Sequence, residues 1–122
     1  MTQHVKLMLH SDGAIRPFIP DLIEDGIEVL DPIQHCPGME LDSLKHDFGD
    51  QLTFHGAVDA QHLLPFGTEQ DVERDVIGYI KALGPGGGVI MGPVHNVQPD
   101  VPPQNIVAMS RTIQEYGCYP LN

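Results

Sequence analysis

Three histidines in this sequence follow short apolar runs and could carry chemistry. His10 follows the run VKLML, His55 follows LTF, and His95 follows VIMGPV. In folds that alternate strands with helices, residues just after the carboxyl ends of buried strands form the active site. An imidazole there could bind a metal ion, bind a substrate or transfer a proton. We therefore take these histidines as the first candidates for a functional site.

The elements that must position them are four short apolar strands, each followed by an amphipathic helix. The apolar runs predict strands over residues 5–9, 27–30, 52–56 and 89–91. Apolar residues at helical spacing predict helices over residues 15–23, 41–48, 69–83 and 103–116. Thr68 has the residue type of an N-cap, and Pro17 and Pro20 fit only near the start of the first helix.

Continuous apolar strands that alternate with helices indicate an α/β fold with a parallel sheet in the order 1-2-3-4. We interpret residues 1–122 as a single domain with half the strands of a (β/α)8 TIM barrel, which needs eight strand-helix units. Four units leave two open sheet edges and an uncovered inner face. We therefore expect self-association as a homodimer that completes a barrel-like shell; a flatter four-stranded sandwich is the alternative.

Composition narrows the class of partner. Six Lys and Arg residues against seventeen Asp and Glu give a formal net charge of −11, which argues against nucleic acid or an anionic membrane surface as partner. A small-molecule substrate or a protein partner fits better. The segment MTQHVK lacks the hydrophobic stretch of a signal peptide, and Cys36 and Cys118 are too few for a disulfide framework. We expect a cytoplasmic protein.

Four longer motifs extend these observations and cover nearly the whole chain in order. They are LHSDGAIRPFI at residues 9–19, DPIQ at 31–34, LTFHGAVD at 52–59 and GPVHNVQPDVPPQNI at 92–106. Together they resemble the C-terminal half of the uroporphyrinogen decarboxylase superfamily. That superfamily includes the decarboxylase and the cobalamin- or corrinoid-dependent methyltransferases. The resemblance implies that this chain supplies strands five to eight of a TIM barrel.

The methyltransferase branch implies a zinc site and a methyl-corrinoid donor. In that branch a His-x-Cys pair and a later Cys hold zinc, which activates an acceptor thiol. Here Asp12 stands at the first thiolate position and His95 at the later one, so the implied ligands are His10, Asp12 and His95. Imidazole and carboxylate are both accepted zinc ligands. A corrinoid protein is the implied partner, and Arg16 is interpreted as an anchor for an acidic substrate group.

Other interpretations of these residues stay open. Asp12 could cap the following helix, His10 could be a hydrogen-bonded structural histidine, and His55 could line a substrate pocket. The decarboxylase branch implies cofactor-free decarboxylation of a porphyrinogen, as in porphyrin biosynthesis, with His95 in substrate binding or proton transfer and Asp12 as a second catalytic candidate. A third interpretation is an inactive binding or assembly module.

Overall fold

Four parallel strands form one sheet in the order β1-β2-β3-β4. The structure is a computed structural model that describes residues 5–121, so the first four residues of the MTQHVK segment lie outside it. The strands are β1 (Met8–His10), β2 (Val29–Asp31), β3 (Thr53–Val58) and β4 (Val89–Pro93). This is the predicted α/β architecture and strand order, and it corresponds to half of a TIM barrel.

Helical segments follow every strand. A 3-10 helix spans Arg16–Phe18, and the α-helices are α1 (Ile19–Glu24), α2 (Leu41–Phe48), α3 (Leu63–Phe66), α4 (Glu69–Leu83) and α5 (Pro103–Tyr116). The predicted N-cap of the long helix is confirmed. The Thr68 hydroxyl accepts a hydrogen bond from the Asp71 backbone N–H, and the Asp71 carboxylate accepts one from the Thr68 N–H, which forms a capping box.

Several elements differ from the sequence-based expectation. β2 starts at Val29 rather than at residue 27, and β4 ends at Pro93 rather than at residue 91. β1 starts at Met8 rather than at residue 5, and the short helix α3 was not predicted. β3 was expected to end at residues 55–56, but it continues to Val58, so His55 lies within the strand. Gly56 and Ala57 have positive φ angles of 98° and 88°. Glycine tolerates this region and alanine does not readily, so a short apolar run could not predict the path of the strand here.

The two faces of the sheet have different roles. Cross-strand pairing places Leu9, Leu30, Phe54 and Val89 on one face, and these residues belong to or pack against a buried cluster shared with the helices. A second cluster fills the space between α4, α5 and the end of β3. We call the opposite side of the sheet the inner face.

The inner face is partly uncovered. The same pairing places Met8, Val29, Thr53 and Ile90 on it. Met8 is 51% exposed and Ile90 is 49% exposed, whereas the interior of a complete barrel is filled with side chains. Apolar side chains on this face therefore contact solvent in the isolated chain.

Within residues 5–121, every helix is too short or too polar to cross a lipid bilayer.

Candidate active site

The site lies where the four strands reach their carboxyl ends. His10 is the last residue of β1, Asp31 is the last residue of β2, and the two are cross-strand partners. His55 projects from the same face of β3, and His95 follows two residues after β4. These side chains border a pocket of about 440 Å³ whose wall is completed by residues from the end of β4 and the loop after it: Gly92, Pro93, Val94, Asn96 and Val97. All three candidate histidines therefore line one pocket.

Asp31 lies between two of these histidines. His10 Nδ1 is 2.7 Å from one carboxylate oxygen of Asp31, and His55 Nδ1 is 2.5 Å from the other. The Asp31 side chain is only 17% exposed. Burial by itself would raise the pKa of Asp31, but the hydrogen bonds from His10 and His55 outweigh it, so that pKa lies below its usual value. The surroundings of Asp31 thus favour its ionised form, and each carboxylate oxygen lies within hydrogen-bond distance of one imidazole Nδ1.

The other ring nitrogen of His10 faces a second carboxylate. His10 Nε2 is 3.3 Å from an oxygen of Asp12. The hydrogen bond to Asp31, followed by the one to Asp12, raises the pKa of His10. If the ring is neutral and Nδ1 donates to Asp31, the lone pair of Nε2 and a carboxylate oxygen of Asp12 face each other. A proton or a metal ion between these two atoms would remove that repulsion.

His95 supplies a third donor at the same place. One ligand atom each from His10, Asp12 and His95 lie within 4.8 Å of one another, and the rings of His10 and His95 meet edge to face with centroids 5.7 Å apart. Ligand atoms around tetrahedral zinc lie roughly 3.3 Å apart, so a modest inward rotation of these exposed side chains would fit the ion. Two imidazoles and one carboxylate form a recognised donor set for catalytic zinc. The residues present therefore fit the metal.

Arg16 and Asp12, the remaining predicted site residues, make different contacts. Arg16 lies outside the pocket lining: its guanidinium donates to the Asp47 carboxylate and to the Gly38 carbonyl, and it stacks over the Phe48 ring at 5.7 Å. Asp12 contacts His10, and neither the 3-10 helix nor α1 has a side-chain N-cap. The structure therefore brings together His10, Asp12, His55 and His95 but leaves Arg16 in an ion pair.

Sequence reasoning missed Asp31. The predicted second strand ends at residue 30, and Asp31 follows that apolar run as directly as His10 follows its own. The signal was present, because a polar residue at a strand end occupies a functional position whatever its type.

Fixed positive charge is missing from the pocket wall. None of the six Lys and Arg residues of the chain is among the described residues that line it. Instead Lys6 pairs with Glu28, Lys45 donates to the Gly87 carbonyl, and Arg74 bridges Asp71 and Asp75. The pocket therefore offers imidazole nitrogens and carboxylates, which are ligands for cations.

The comparison with protein families agrees with this architecture. A search among curated proteins found no match. The family model for uroporphyrinogen decarboxylase (URO-D) matches residues 1–116, which is nearly the whole chain, and confirms the resemblance seen in the four motifs. The strand-end site and the half barrel are thus features of a chain that belongs to the uroporphyrinogen decarboxylase family.

Proposed function

We propose that this chain carries the metal-binding half of a methyltransferase that passes a methyl group from a methyl-corrinoid to a thiol. In this proposal His10, Asp12 and His95 hold a zinc ion. The observation that supports it most directly is the 3.3 Å approach of His10 Nε2 to an Asp12 oxygen, beside the His95 ring. When a neutral His10 ring donates from Nδ1 to Asp31, Nε2 and the Asp12 oxygen are both acceptors, and a cation shared between them would remove their repulsion.

Each residue has a distinct part in this scheme. Bound zinc would act as a Lewis acid that lowers the pKa of the acceptor thiol. His10 and His95 provide nitrogen ligands, and Asp12 adds a negative charge that strengthens cation binding. Asp31 holds His10 through Nδ1, and His55 forms the adjacent wall of the pocket.

Decarboxylation of a porphyrinogen is the alternative within the family. A substrate with many carboxylates calls for fixed cations such as arginine. The described pocket wall offers none, and Arg16 already neutralises Asp47. This half of the barrel therefore favours the metal-dependent function over the decarboxylase.

Zinc content tests the proposal. We would purify the full chain without a metal-binding tag and measure zinc per chain by elemental analysis, and affinity by competition with a chromogenic chelator. We expect one zinc per chain, lost in His10→Ala and His95→Ala. His46→Ala is the matched control, because His46 is an exposed histidine that contacts a carboxylate outside the site. Absence of zinc, or equal zinc in all variants, would contradict the proposal.

Cobalt substitution separates the methyltransferase from other metal proteins. We expect a simple thiol such as 2-mercaptoethanol to produce a sulfur-to-cobalt charge-transfer band in the cobalt-loaded chain, because the thiol binds as thiolate. A metal site that never takes up a thiol would overturn the thiol-activating function. A chain that binds neither metal nor thiol would favour the decarboxylase or the inactive module.

A further inference from the structure

We propose that Asp31 is a positioning residue that fixes both His10 and His55 as Nδ1–H tautomers and so directs the Nε2 lone pairs of both rings to the pocket. For His10, the importance of this orientation rests on the proposed metal site. For His55, it defines a second oriented imidazole that the three ligands do not use.

The contacts around Asp31 carry this inference. Its two carboxylate oxygens are divided between the rings, one accepting from His10 Nδ1 at 2.7 Å and the other from His55 Nδ1 at 2.5 Å. The three residues come from the neighbouring strands β1, β2 and β3 and share one face of the sheet. One carboxylate therefore joins site residues from three neighbouring strands.

The chemistry of the carboxylate determines the tautomers. An ionised carboxylate only accepts hydrogen bonds, so each Nδ1 must carry its proton, and each neutral ring then has its lone pair on Nε2. A carboxylate behind a ligating histidine fixes the ring and increases its basicity as a ligand.

An asparagine amide could not take over the role of the Asp31 carboxylate. Asparagine at this position has one acceptor oxygen and one NH2 donor, so it can satisfy only one Nδ1–H; the NH2 would favour the Nε2–H tautomer, or a rotation, in the other ring. Asp31→Asn is therefore nearly isosteric yet should disturb the arrangement of two rings at once.

Asp59→Asn provides a matched control. Asp59 is also a largely buried aspartate, 18% exposed against 17% for Asp31, and it also contacts a histidine, His62 Nδ1, at 3.2 Å. His62 is not among the described residues that line the pocket. Asp59 also accepts backbone N–H bonds from Gln61 and His62, which an asparagine oxygen can still accept. The two substitutions thus remove the same charge from similarly buried positions, one at the site and one away from it.

The first measurement is nitrogen-15 NMR of the histidine rings in the metal-free full chain, at a pH where they are neutral. We expect Nδ1–H tautomers for His10 and His55 in the wild type and in Asp59→Asn, and at least one ring shifted toward Nε2–H in Asp31→Asn. If either ring is the Nε2–H tautomer in the wild type, the inference is overturned, and this test needs no variant to fold.

The second measurement is zinc affinity. We expect Asp31→Asn to weaken binding on the order of 10- to 100-fold, with Asp59→Asn within twofold of the wild type. Unchanged affinity and unchanged tautomers in Asp31→Asn would overturn the positioning role while the metal site stands. Conversely, the expected tautomers in a wild type that binds no zinc would uphold the role of Asp31 and contradict the proposed function.

Discussion

At the scale of single residues, His10 is a histidine of the site whose pKa is shifted by its neighbours. It contacts two carboxylates, Asp31 through Nδ1 and Asp12 through Nε2. Both contacts stabilise the protonated ring, so the pKa of His10 is raised above 6.5. Because the folded-state pKa exceeds the unfolded one, this contribution to stability is fully present below about pH 6.5 and disappears as the pH rises through the raised pKa.

The two carboxylates should have unequal effects on that pKa. We expect a proton NMR titration of the metal-free protein to give a His10 pKa above 6.5. Asp12→Asn and Asp31→Asn should each lower this pKa. The effect of Asp31→Asn should be the larger one, because the Asp31 hydrogen bond is the larger cause of the shift. His46→Gln, an exposed position outside the site, is the control and should leave the titration unchanged. A His10 pKa at or below 6.5, or a larger effect of Asp12→Asn, would contradict this prediction.

The sequence predicted the three histidines that line the pocket, but it did not predict which side chains contact each other. The expectation that functional residues follow apolar strands identified His10, His55 and His95, and all three line the pocket, although His55 lies within β3. It was not applied to Asp31, and it could not foresee that Arg16 reaches Asp47, thirty-one residues away in sequence. The ion-pair partner of a long side chain on a connecting segment depends on tertiary packing. The neighbouring sequence does not reveal that partner.

At the scale of elements, long amphipathic helices were predictable and short irregular ones were not. α4 and α5 have clear apolar periodicity and strong start signals. α3 has only four residues and is stabilised from a distance: the buried Asn105 side chain donates to the Leu64 and Gly67 carbonyls. Asn105 lies about forty residues further along the chain, so local sequence did not indicate this contact or the helix that it supports.

The capping box of α4 gives a stability prediction. Thr68→Ala should lower the free energy of unfolding by about 1 kcal/mol, because the N–H of Asp71 loses its acceptor. Urea denaturation would measure this, with Ser110→Ala, an exposed helix-interior change, as control. A loss no larger than that of Ser110→Ala would contradict the assigned cap.

The same capping box should also make the stability of the fold depend on pH. Hydrogen bonds from the Thr68 backbone and side chain lower the pKa of Asp71 to about 2. A lowered carboxylate pKa stabilises the fold above the unfolded value near 3.8, and that stabilisation is lost as the pH falls through about 2. The pH dependence of unfolding in this range should therefore be shallower in Thr68→Ala.

At the scale of the whole molecule, the inner face exposes apolar side chains that association could bury. Met8 and Ile90 are half-exposed on this face, and β1 and β4 are the edge strands of the sheet. The self-association predicted from the sequence is a proposal that would bury these side chains against a second copy.

Light scattering of the purified chain checks that proposal. We expect a dimeric mass for the wild type and a monomeric mass for Ile90→Asp, because a charge on the inner face would be buried without a partner. Val107→Asp is the matched control, since Val107 is an exposed apolar residue on α5. A monomeric wild type, or equal dissociation of both variants, would contradict dimerisation through this face.

The sheet has one face packed against the helices and an inner face that carries the site. This division has a consequence for which substitutions the chain can accept. His10, Asp31 and His55 project away from the buried cluster, and Asp12 and His95 follow the ends of strands. The proposed metal ligands can therefore change without repacking the buried core. In that proposed site, a single exchange such as Asp12→Cys would make the donor set softer, so ion preference could drift over evolutionary time, or be redesigned, while the scaffold stays constant.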